Sequence, residues 1–178
     1  MSARESLKYE ILKKAVIKRK VVLSSGQEAD SYIDLRRVTL DAVGAPLIGE
    51  VMLELTKDLH YEAVGGLTLG ADPIAMAMLH AAASKGKVLN AFIVRKEQKQ
   101  HGLQRTIEGP EVKGKHVLVV EDTLTTGNSA LTAVAKLEKA GAIVVAVACI
   151  VRRGKFRKED RGLEFREVFD SEQLGLDF

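Results

Sequence analysis

A rhythm of short apolar runs and helical segments constrains the fold of this 178-residue chain more than any other feature. Residues 63–67 form an apolar run before a helical pattern over 72–84, and residues 117–120 form another before 129–140. A further apolar run, 143–151, closes the series. Apolar strands that alternate with helices form a parallel sheet whose crossover helices shield both faces from water. The sequence therefore predicts an α/β fold with a doubly wound, mostly parallel sheet.

The N-terminal part of the chain carries a different pattern. Residues 5–20 place apolar side chains at helical spacing among lysines, which predicts an amphipathic opening helix. Residues 21–23 and 30–38 flank a Ser-Ser-Gly turn signal and predict a hairpin-like pair of strands. An apolar helical stripe over 41–59, with Asp41 as its N-cap, predicts a second helix. A helix, a hairpin and a further helix thus precede the first strand of the parallel sheet.

Composition limits the class of protein. A content of 46% hydrophobic and 29% charged residues excludes intrinsic disorder, and 178 residues match the size of one domain. The single cysteine, Cys149, excludes an internal disulfide framework and a multi-cysteine zinc site, and it is interpreted as a small buried apolar residue. The net charge of +3 is too small to argue nucleic-acid binding, and no apolar run approaches the roughly 20 residues of a membrane span. Because the charged N-terminal segment is unlike a signal peptide, we expect a cytoplasmic protein with no nucleic-acid or membrane partner.

A long polar segment interrupts the rhythm. Residues 95–115 lack apolar periodicity, although they lie between the apolar runs 89–94 and 117–120. A loop of this length inside a compact domain is usually functional or mobile. A solvated charged turn is the alternative interpretation.

The segment after the run 117–120 carries the strongest chemical signal. Glu121 and Asp122 end an apolar strand, and the hydroxyl-rich residues 123–129 lead into a helix. In an open α/β sheet, ligands bind beyond the carboxyl ends of the strands, and a helix N-terminus favours an anion such as phosphate. Paired carboxylates can accept hydrogen bonds from two neighbouring hydroxyls of a sugar. The combination predicts a site for a ribose 5-phosphate.

Each part of this segment also has a simpler explanation. Glu121 and Asp122 could be a solvated strand end, and Ser129 an ordinary N-cap. The combination is more specific than either part. It lacks both the Gly-Lys-Ser/Thr ending of a nucleoside triphosphate loop and the spacing of a dinucleotide fingerprint, so those two alternatives are excluded.

These residues resemble a known family. Residues 117–127, Val-Leu-Val-Val-Glu-Asp-Thr-Leu-Thr-Thr-Gly, are similar to the phosphoribosyl pyrophosphate (PRPP) motif of the type I phosphoribosyltransferases. Residues 95–102 and 107–109 resemble the mobile catalytic loop of the orotate phosphoribosyltransferases within that family, and residues 65–75 and 23–26 are also similar to them. The resemblance covers most of the chain, and the loop is its discriminating part.

The resemblance implies a type I phosphoribosyltransferase fold in a single domain over residues 1–178, with a hood formed by about residues 1–40 and the C-terminal segment. It implies transfer of the 5-phosphoribosyl group from PRPP to orotate, which gives orotidine 5′-monophosphate and pyrophosphate in pyrimidine synthesis. Mg²⁺ is the implied cofactor, carried mainly by PRPP and pyrophosphate and not held directly by the protein. A homodimer whose active sites are shared across the interface is also implied.

The resemblance also assigns roles to individual residues. The residues implied as catalytic are Arg95, Lys99, His101 and Asp122. Thr125 and Arg153 are implied to bind orotate, since an arginine fork suits a planar carboxylate. The residues implied to bind PRPP are Arg95, Lys96, Lys99, His101, Glu121, Asp122, Thr123, Leu124, Thr125, Thr126, Gly127, Asn128 and Ser129.

Elementary electrostatics agrees with the roles implied for the loop. Arg95, Lys96 and Lys99 supply permanent positive charges for a densely anionic substrate, and His101 supplies a titratable imidazole. As the bond from ribose to pyrophosphate breaks, cations near the leaving oxygen stabilise the negative charge that develops there. Closure of such a loop would also exclude water, which otherwise hydrolyses the activated sugar.

Two positions depart from the pattern of some family members. Those members carry a lysine at the position of Ser24 and another near Leu69, and both lysines contact pyrophosphate; this sequence has neither. Pyrophosphate binding is then expected to rely more on the loop and on backbone N–H donors. The segment ahead of Asp72 and Pro73 could supply such donors, although these two residues also suit an ordinary N-cap and first helical turn.

Two other functions stay open on the sequence. A purine phosphoribosyltransferase shares the motif at 121–129 but is not expected to carry the spacing of residues 95–101. A PRPP-binding regulator of the same fold needs an added nucleic-acid surface, and the opening helix is too short to be a separate DNA-binding domain.

Overall fold

The described part of the chain forms a six-stranded sheet and a separate two-stranded hairpin sheet. The computed structural model describes residues 1–22, 28–97, 106–154 and 162–176. Its strands are β1 (Val16–Val22), β2 (Glu28–Ile33), β3 (Ala63–Leu67), β4 (Asn90–Val94), β5 (Ile107–Glu108), β6 (His116–Leu124), β7 (Ile143–Arg152) and β8 (Glu164–Asp170). Its α-helices are α1 (Ala3–Glu10), α2 (Arg36–Thr39), α3 (Gly44–Leu55), α4 (Ala71–Ser84) and α5 (Asn128–Lys139).

The large sheet has the order β5-β4-β3-β6-β7-β8. Its neighbours pair in parallel, except for β5, which is antiparallel to β4. The predicted α/β class and the mostly parallel sheet are confirmed. The carboxyl ends of β3, β6 and β7 therefore meet at one edge of the sheet, which is where an open α/β sheet binds its ligands.

Helices cover both faces of this sheet, as a doubly wound fold requires. Along β6, Leu118 and Val120 belong to a core shared with α1, α3 and α4, whereas Val117 and Val119 belong to a second core shared with α5. All four side chains are fully buried. Because successive side chains of a strand point to opposite faces, a continuous apolar run indicates a strand that is covered on both sides.

The opening helix is shorter than the predicted 5–20. Ser2 and Glu5 form a capping box at the start of α1, and a π-helical turn, Ile11–Ala15, follows its end. The prediction was wrong from Val16 onward, where β1 begins and pairs antiparallel with β2. Val16, Ile17, Val21 and Val22 are β-branched, and such residues favour a pleated strand over a helix.

The second predicted helix, 41–59, is also shorter in the structure. Helix α3 begins at Gly44 with Val43, and not Asp41, as its N-cap, although the Asp41 carboxylate accepts hydrogen bonds from the backbone N–H groups of Val43 and Gly44 (both 3.0 Å). The hydrogen bond from Lys14 holds the pKa of Asp41 down to about 2, with a further contribution from the Gly44 N–H. The predicted strand over 30–38 ends at Ile33, and the short helix α2 follows it.

Strand β6 is longer than the predicted 117–120. Its ladder with β7 continues through the pairs Glu121–Cys149, Thr123–Val151 and Leu124–Arg152. The acidic pair is therefore part of a hydrogen-bonded strand and not the start of a loop. The backbone that carries both carboxylates is therefore held in place by the pairing of β6 with β7.

The prediction that residues 143–151 close the series was wrong. Strand β8 adds a parallel edge to β7, and a 3-10 helix, Glu172–Leu174, follows it. The charged residues of β8 hide its apolar pattern, because Phe165, Val168 and Phe169 are buried between exposed or half-buried polar positions. Among the described residues, no helix is both long and apolar enough to cross a bilayer. The single domain with a hood stays a prediction.

Candidate active site

A cavity of about 340 Å³ lies where the carboxyl ends of β3, β6 and β7 meet. Its lining includes most of the sequence-predicted site residues that the structure describes. The lining residues are Tyr32, Ile33, Asp34, Leu35, Arg36, Leu67, Thr68, Leu69, Gly70, Lys96, Glu121, Asp122, Thr123, Thr125, Ser129 and Arg153. A larger cavity, of about 590 Å³, lies between the start of α1, α3 and β8 and contains none of the predicted site residues.

The acidic pair is the chemical centre of the smaller cavity. Glu121 is only 6% exposed, and its Oε2 atom is buried without a hydrogen-bond partner among the described residues. Burial, and then the neighbouring Asp122 charge, raise the pKa of Glu121 well above the usual carboxyl range. Burial also raises the pKa of Asp122, although the Thr123 N–H, 2.6 Å from Asp122 Oδ1, opposes that effect. The pair is therefore ready to accept hydrogen bonds from a bound ligand.

The segment after β3 packs directly on the acidic pair. A Cβ atom placed on Gly70 would come within 2.8 Å of Glu121 Oε1, so a side chain at this position would displace the Glu121 carboxylate. The Thr68–Leu69 peptide bond is cis, and the Thr68 hydroxyl donates to the Asp72 carboxylate at 2.7 Å. Gly70, and not Asp72, is the N-cap of α4. The segment thus forms part of the cavity wall through residues 67–70.

The predicted phosphate cradle lies at the start of α5. Gly127 is the N-cap, with a left-handed backbone (φ 78°) that residues other than glycine rarely adopt, and Ser129 is the second helical residue. The Thr126 hydroxyl accepts a hydrogen bond from the Asn128 N–H at 3.4 Å. The first N–H groups of a helix have no partner within it and can bind an anion. Thr125 and Ser129 line the cavity, whereas the Leu124 side chain is buried in the core beneath it.

Of the cationic residues implied by the resemblance, Arg95 and Lys96 are among the described residues. Lys96 lines the cavity, whereas Arg95 lies just outside it and pairs with Glu108 of β5 at 3.4 Å. The Lys136 ammonium of α5 donates to the carbonyl oxygens of Arg95 (2.6 Å) and Lys96 (2.7 Å). Lys99 and His101 lie outside the described residues.

Arg153 lines the cavity and directly follows the last residue of β7. It is half-buried, and its backbone N–H donates to the Leu124 carbonyl at 2.8 Å, so its position is tied to the end of β6. Burial lowers the pKa of the guanidinium, and Tyr32 opposes that shift. A guanidinium with reduced hydration binds a planar carboxylate strongly.

Comparison with known proteins decides the family. The model of the phosphoribosyl transferase domain matches residues 40–173. The orotate phosphoribosyltransferase of Streptomyces avermitilis is 58% identical over 178 residues, which cover 98% of both chains. The chain belongs to the orotate phosphoribosyltransferases. The predicted family and the type I phosphoribosyltransferase fold are therefore confirmed.

Solved structures of other members of the orotate phosphoribosyltransferase family agree with the fold. The Mycobacterium tuberculosis enzyme in complex with Fe(III) dicitrate superposes with a TM-score of 0.89 at 50% identity and covers 98% of this chain and 100% of its own. The same enzyme in complex with PRPP gives a TM-score of 0.85 at 47% identity, again over 98% and 100% of the two chains. An adenine phosphoribosyltransferase from Thermoanaerobacter pseudethanolicus, at 18% identity and a TM-score of 0.62, shares the fold alone.

Sequence reasoning missed one wall of the site in this orotate phosphoribosyltransferase. The end of β2 and the start of α2 contribute residues 32–36 to the cavity. Their alternating polar side chains were visible in the sequence. Nothing local indicated, however, that the hairpin packs beside the carboxyl ends of the large sheet, because that contact depends on tertiary structure.

Proposed function

We propose that this chain catalyses the transfer of the 5-phosphoribosyl group from PRPP to orotate, which yields orotidine 5′-monophosphate and pyrophosphate. The observation that carries the proposal is the shared cavity of the acidic pair and the start of α5, in a member of the orotate phosphoribosyltransferase family. This arrangement suits a ribose hydroxyl pair at one end and a 5′-phosphate at the other.

The acidic pair positions the sugar in this proposal. Asp122 and the orphaned Oε2 atom of Glu121 accept hydrogen bonds from the two neighbouring ribose hydroxyls. Hydroxyl donors satisfy buried carboxylate oxygens that otherwise lack partners in the described chain. The N–H groups at the start of α5, with Thr125 and Ser129, then hold the 5′-phosphate, so the sugar is fixed at both ends.

Cations stabilise the leaving group. The bond between ribose C1 and the pyrophosphate oxygen breaks with its electron pair on the pyrophosphate. A ring nitrogen of orotate forms the new bond to C1 and gives up its proton, which the released pyrophosphate can accept. Lys96, which lines the cavity, faces this developing negative charge. We assign the same task to Arg95, Lys99 and His101 on the strength of the family resemblance.

Arg153 and Thr125 bind the acceptor base. Arg153 presents its guanidinium from the end of β7, on the side of the cavity where Tyr32 lies. The orotate carboxylate accepts two parallel N–H donors from such a fork. This pairing favours orotate over uracil, which lacks the carboxylate, and over neutral purine bases.

Mg²⁺ is proposed as a substrate-borne cofactor. The described residues contain no group of three or more histidine, cysteine or carboxylate side chains arranged around a metal ion. The oxygens of the acidic pair are hard ligands of the kind Mg²⁺ accepts, usually with water and substrate phosphates completing its shell. When bound, the ion neutralises charge on the pyrophosphate.

A homodimer with shared active sites and a cytoplasmic location complete the proposal. Leu40, Val43 and Met76 are 71%, 54% and 40% exposed, although large apolar side chains tend to be covered. They lie near the N-terminal ends of α3 and α4, which pack against each other through Gly49 and Ala77. A homodimer interface needs an exposed apolar surface of this kind.

The function is tested by mixing the purified protein with Mg²⁺, PRPP and orotate and following the loss of orotate absorbance. Uracil, adenine, hypoxanthine and xanthine serve as parallel acceptors, and a reaction without Mg²⁺ tests the metal. We expect turnover that requires Mg²⁺ and is selective for orotate. Turnover with a purine base in place of orotate would overturn the specificity assigned to Arg153.

A further inference from the structure

One cation of the cavity wall, Arg36, has no part in the function proposed above. It is the first residue of α2, and its half-exposed side chain lines the cavity together with Lys96 and Asp122. We propose that Arg36 binds the pyrophosphate group of PRPP. This inference rests on the proposed function and deepens it.

Asp34 holds Arg36 in place. Its Oδ1 atom accepts hydrogen bonds from Arg36 Nε (2.9 Å) and from the Arg36 backbone N–H (3.3 Å). The Asp34 N–H donates in turn to the Ala15 carbonyl at 3.0 Å, which anchors it to the π-helical turn. Among the described residues, Asp34 bonds the guanidinium through Nε alone, so the two terminal nitrogens keep their donors for a ligand.

The position of Arg36 relative to the acidic pair favours the pyrophosphate group as its ligand. After the hydrogen bond to Asp34 and the charge of that carboxylate, the charge of Asp122 also raises the pKa of Arg36, and Arg36 lowers the pKa of Asp122. Lys96 acts on Glu121 in the same sense. Each carboxylate therefore has a cation within electrostatic reach.

The geometry of PRPP places its leaving group, the pyrophosphate, near those cations. With the 5′-phosphate at the start of α5 and the hydroxyls of C2 and C3 on the acidic pair, the neighbouring C1 atom and its pyrophosphate lie beside Asp122. Any negative charge on the acidic pair repels a multiply charged pyrophosphate unless cations stand between them. Arg36, which follows β2, and Lys96, which follows β4, both line the cavity and can meet this need.

The adjacent arginine supplies a matched control. Arg37 is also exposed and lies in the same short helix, but it does not line the cavity. Arg36→Gln and Arg37→Gln each remove one charge from α2. A general effect of net charge or of helix stability therefore affects both variants, whereas a direct contact with pyrophosphate affects the first alone.

The experiment compares two ligands by titration calorimetry with Mg²⁺ present. PRPP carries the pyrophosphate, whereas orotidine 5′-monophosphate carries the sugar, the 5′-phosphate and the base without it. Hydrogen bonds between charged groups lead us to expect that Arg36→Gln weakens PRPP binding about tenfold or more. Its affinity for orotidine 5′-monophosphate should stay unchanged. Arg36→Lys should lie between Arg36→Gln and the unsubstituted chain, because it keeps the charge but loses the planar fork.

Asp34 is assigned as a positioning residue, and a double-mutant cycle tests that role. Asp34→Asn should weaken PRPP binding, but much less so when Arg36 is already glutamine. Additive effects would contradict the positioning role. Unchanged PRPP affinity in Arg36→Gln, or an equal loss for orotidine 5′-monophosphate, would overturn the pyrophosphate assignment. Failure of the unsubstituted chain to turn over orotate would instead refute the proposed function, so the two failures are distinguishable.

Discussion

At the scale of single residues, Glu121 shows how burial prepares a side chain for function at a cost in stability. It is buried beside a second carboxylate, and both effects raise its pKa above the ordinary value of 4.5. Between the ordinary and the raised value, the folded chain binds more protons than the unfolded chain. The free energy of unfolding therefore falls as the pH rises through that window.

Glu121→Gln removes this penalty, so it should raise the free energy of unfolding by about 1 to 2 kcal/mol at about pH 8 and by much less at about pH 5. The same variant should bind PRPP more weakly, because it loses a hydroxyl acceptor. Urea unfolding at both pH values measures the first effect. The exposed Glu138→Gln on α5 is the control. A stability difference that is equal at both pH values would contradict the role of burial.

Arg153→Ala should raise the KM for orotate about tenfold or more and leave the KM for PRPP nearly unchanged, because the fork contacts only the base. Initial-rate kinetics with each substrate varied in turn measures the split. Arg153→Lys should be intermediate. An equal rise in both KM values would assign Arg153 a structural role at the junction of β6 and β7.

At the scale of secondary-structure elements, α5 makes a second contact with the site besides its first turn, where we propose that the phosphate binds. Its Lys136 reaches across to the point where the chain leaves β4 and binds the carbonyl oxygens of Arg95 and Lys96. The Arg95 N–H donates to the Thr106 carbonyl at 2.9 Å, so the start and the return of the intervening segment are also joined. The helix that we propose binds the phosphate thus also fixes the backbone that presents Lys96.

Lys136→Met should lower kcat several-fold and destabilise the fold by about 1 kcal/mol, since it removes two hydrogen bonds from a charged donor. Lys139→Met, at the exposed end of the same helix, should do neither. Steady-state kinetics and thermal unfolding of the two variants provide the comparison. Normal kcat in Lys136→Met would show that Lys96 keeps its position without this contact.

The strands at the centre of the large sheet could be predicted from the sequence more fully than the strands at its edge, for a physical reason. Strand β3 was predicted at its observed bounds, because a strand buried on both faces has a continuous apolar run. Strand β8 was missed, because its polar residues break the pattern at the sheet edge. In the site, Glu121, Asp122 and Ser129 follow a local motif, whereas Arg36 reaches the cavity only through tertiary packing.

At the scale of the whole molecule, the shared-site homodimer is the prediction with the largest consequence. If Lys99 serves the partner's site, then Lys99→Ala and Asp122→Asn chains are each inactive, yet a mixed dimer contains one intact site. Mixing equal amounts after reversible dissociation should recover about one quarter of the full activity. No recovery, with mixed dimers demonstrated by mass spectrometry, would show that each site is built from one chain.

The negatively and positively charged residues of this site are held by different parts of the fold. The acidic residues are held in a strand at the centre of the sheet, whereas Arg36 and Lys96 sit where the chain leaves peripheral strands. Anion recognition can therefore diverge by substitution in short surface segments while the frame that we propose binds the sugar stays unchanged. Design of a new leaving-group preference should begin at residues 32–36 and 95–97, with residues 117–124 left as they are.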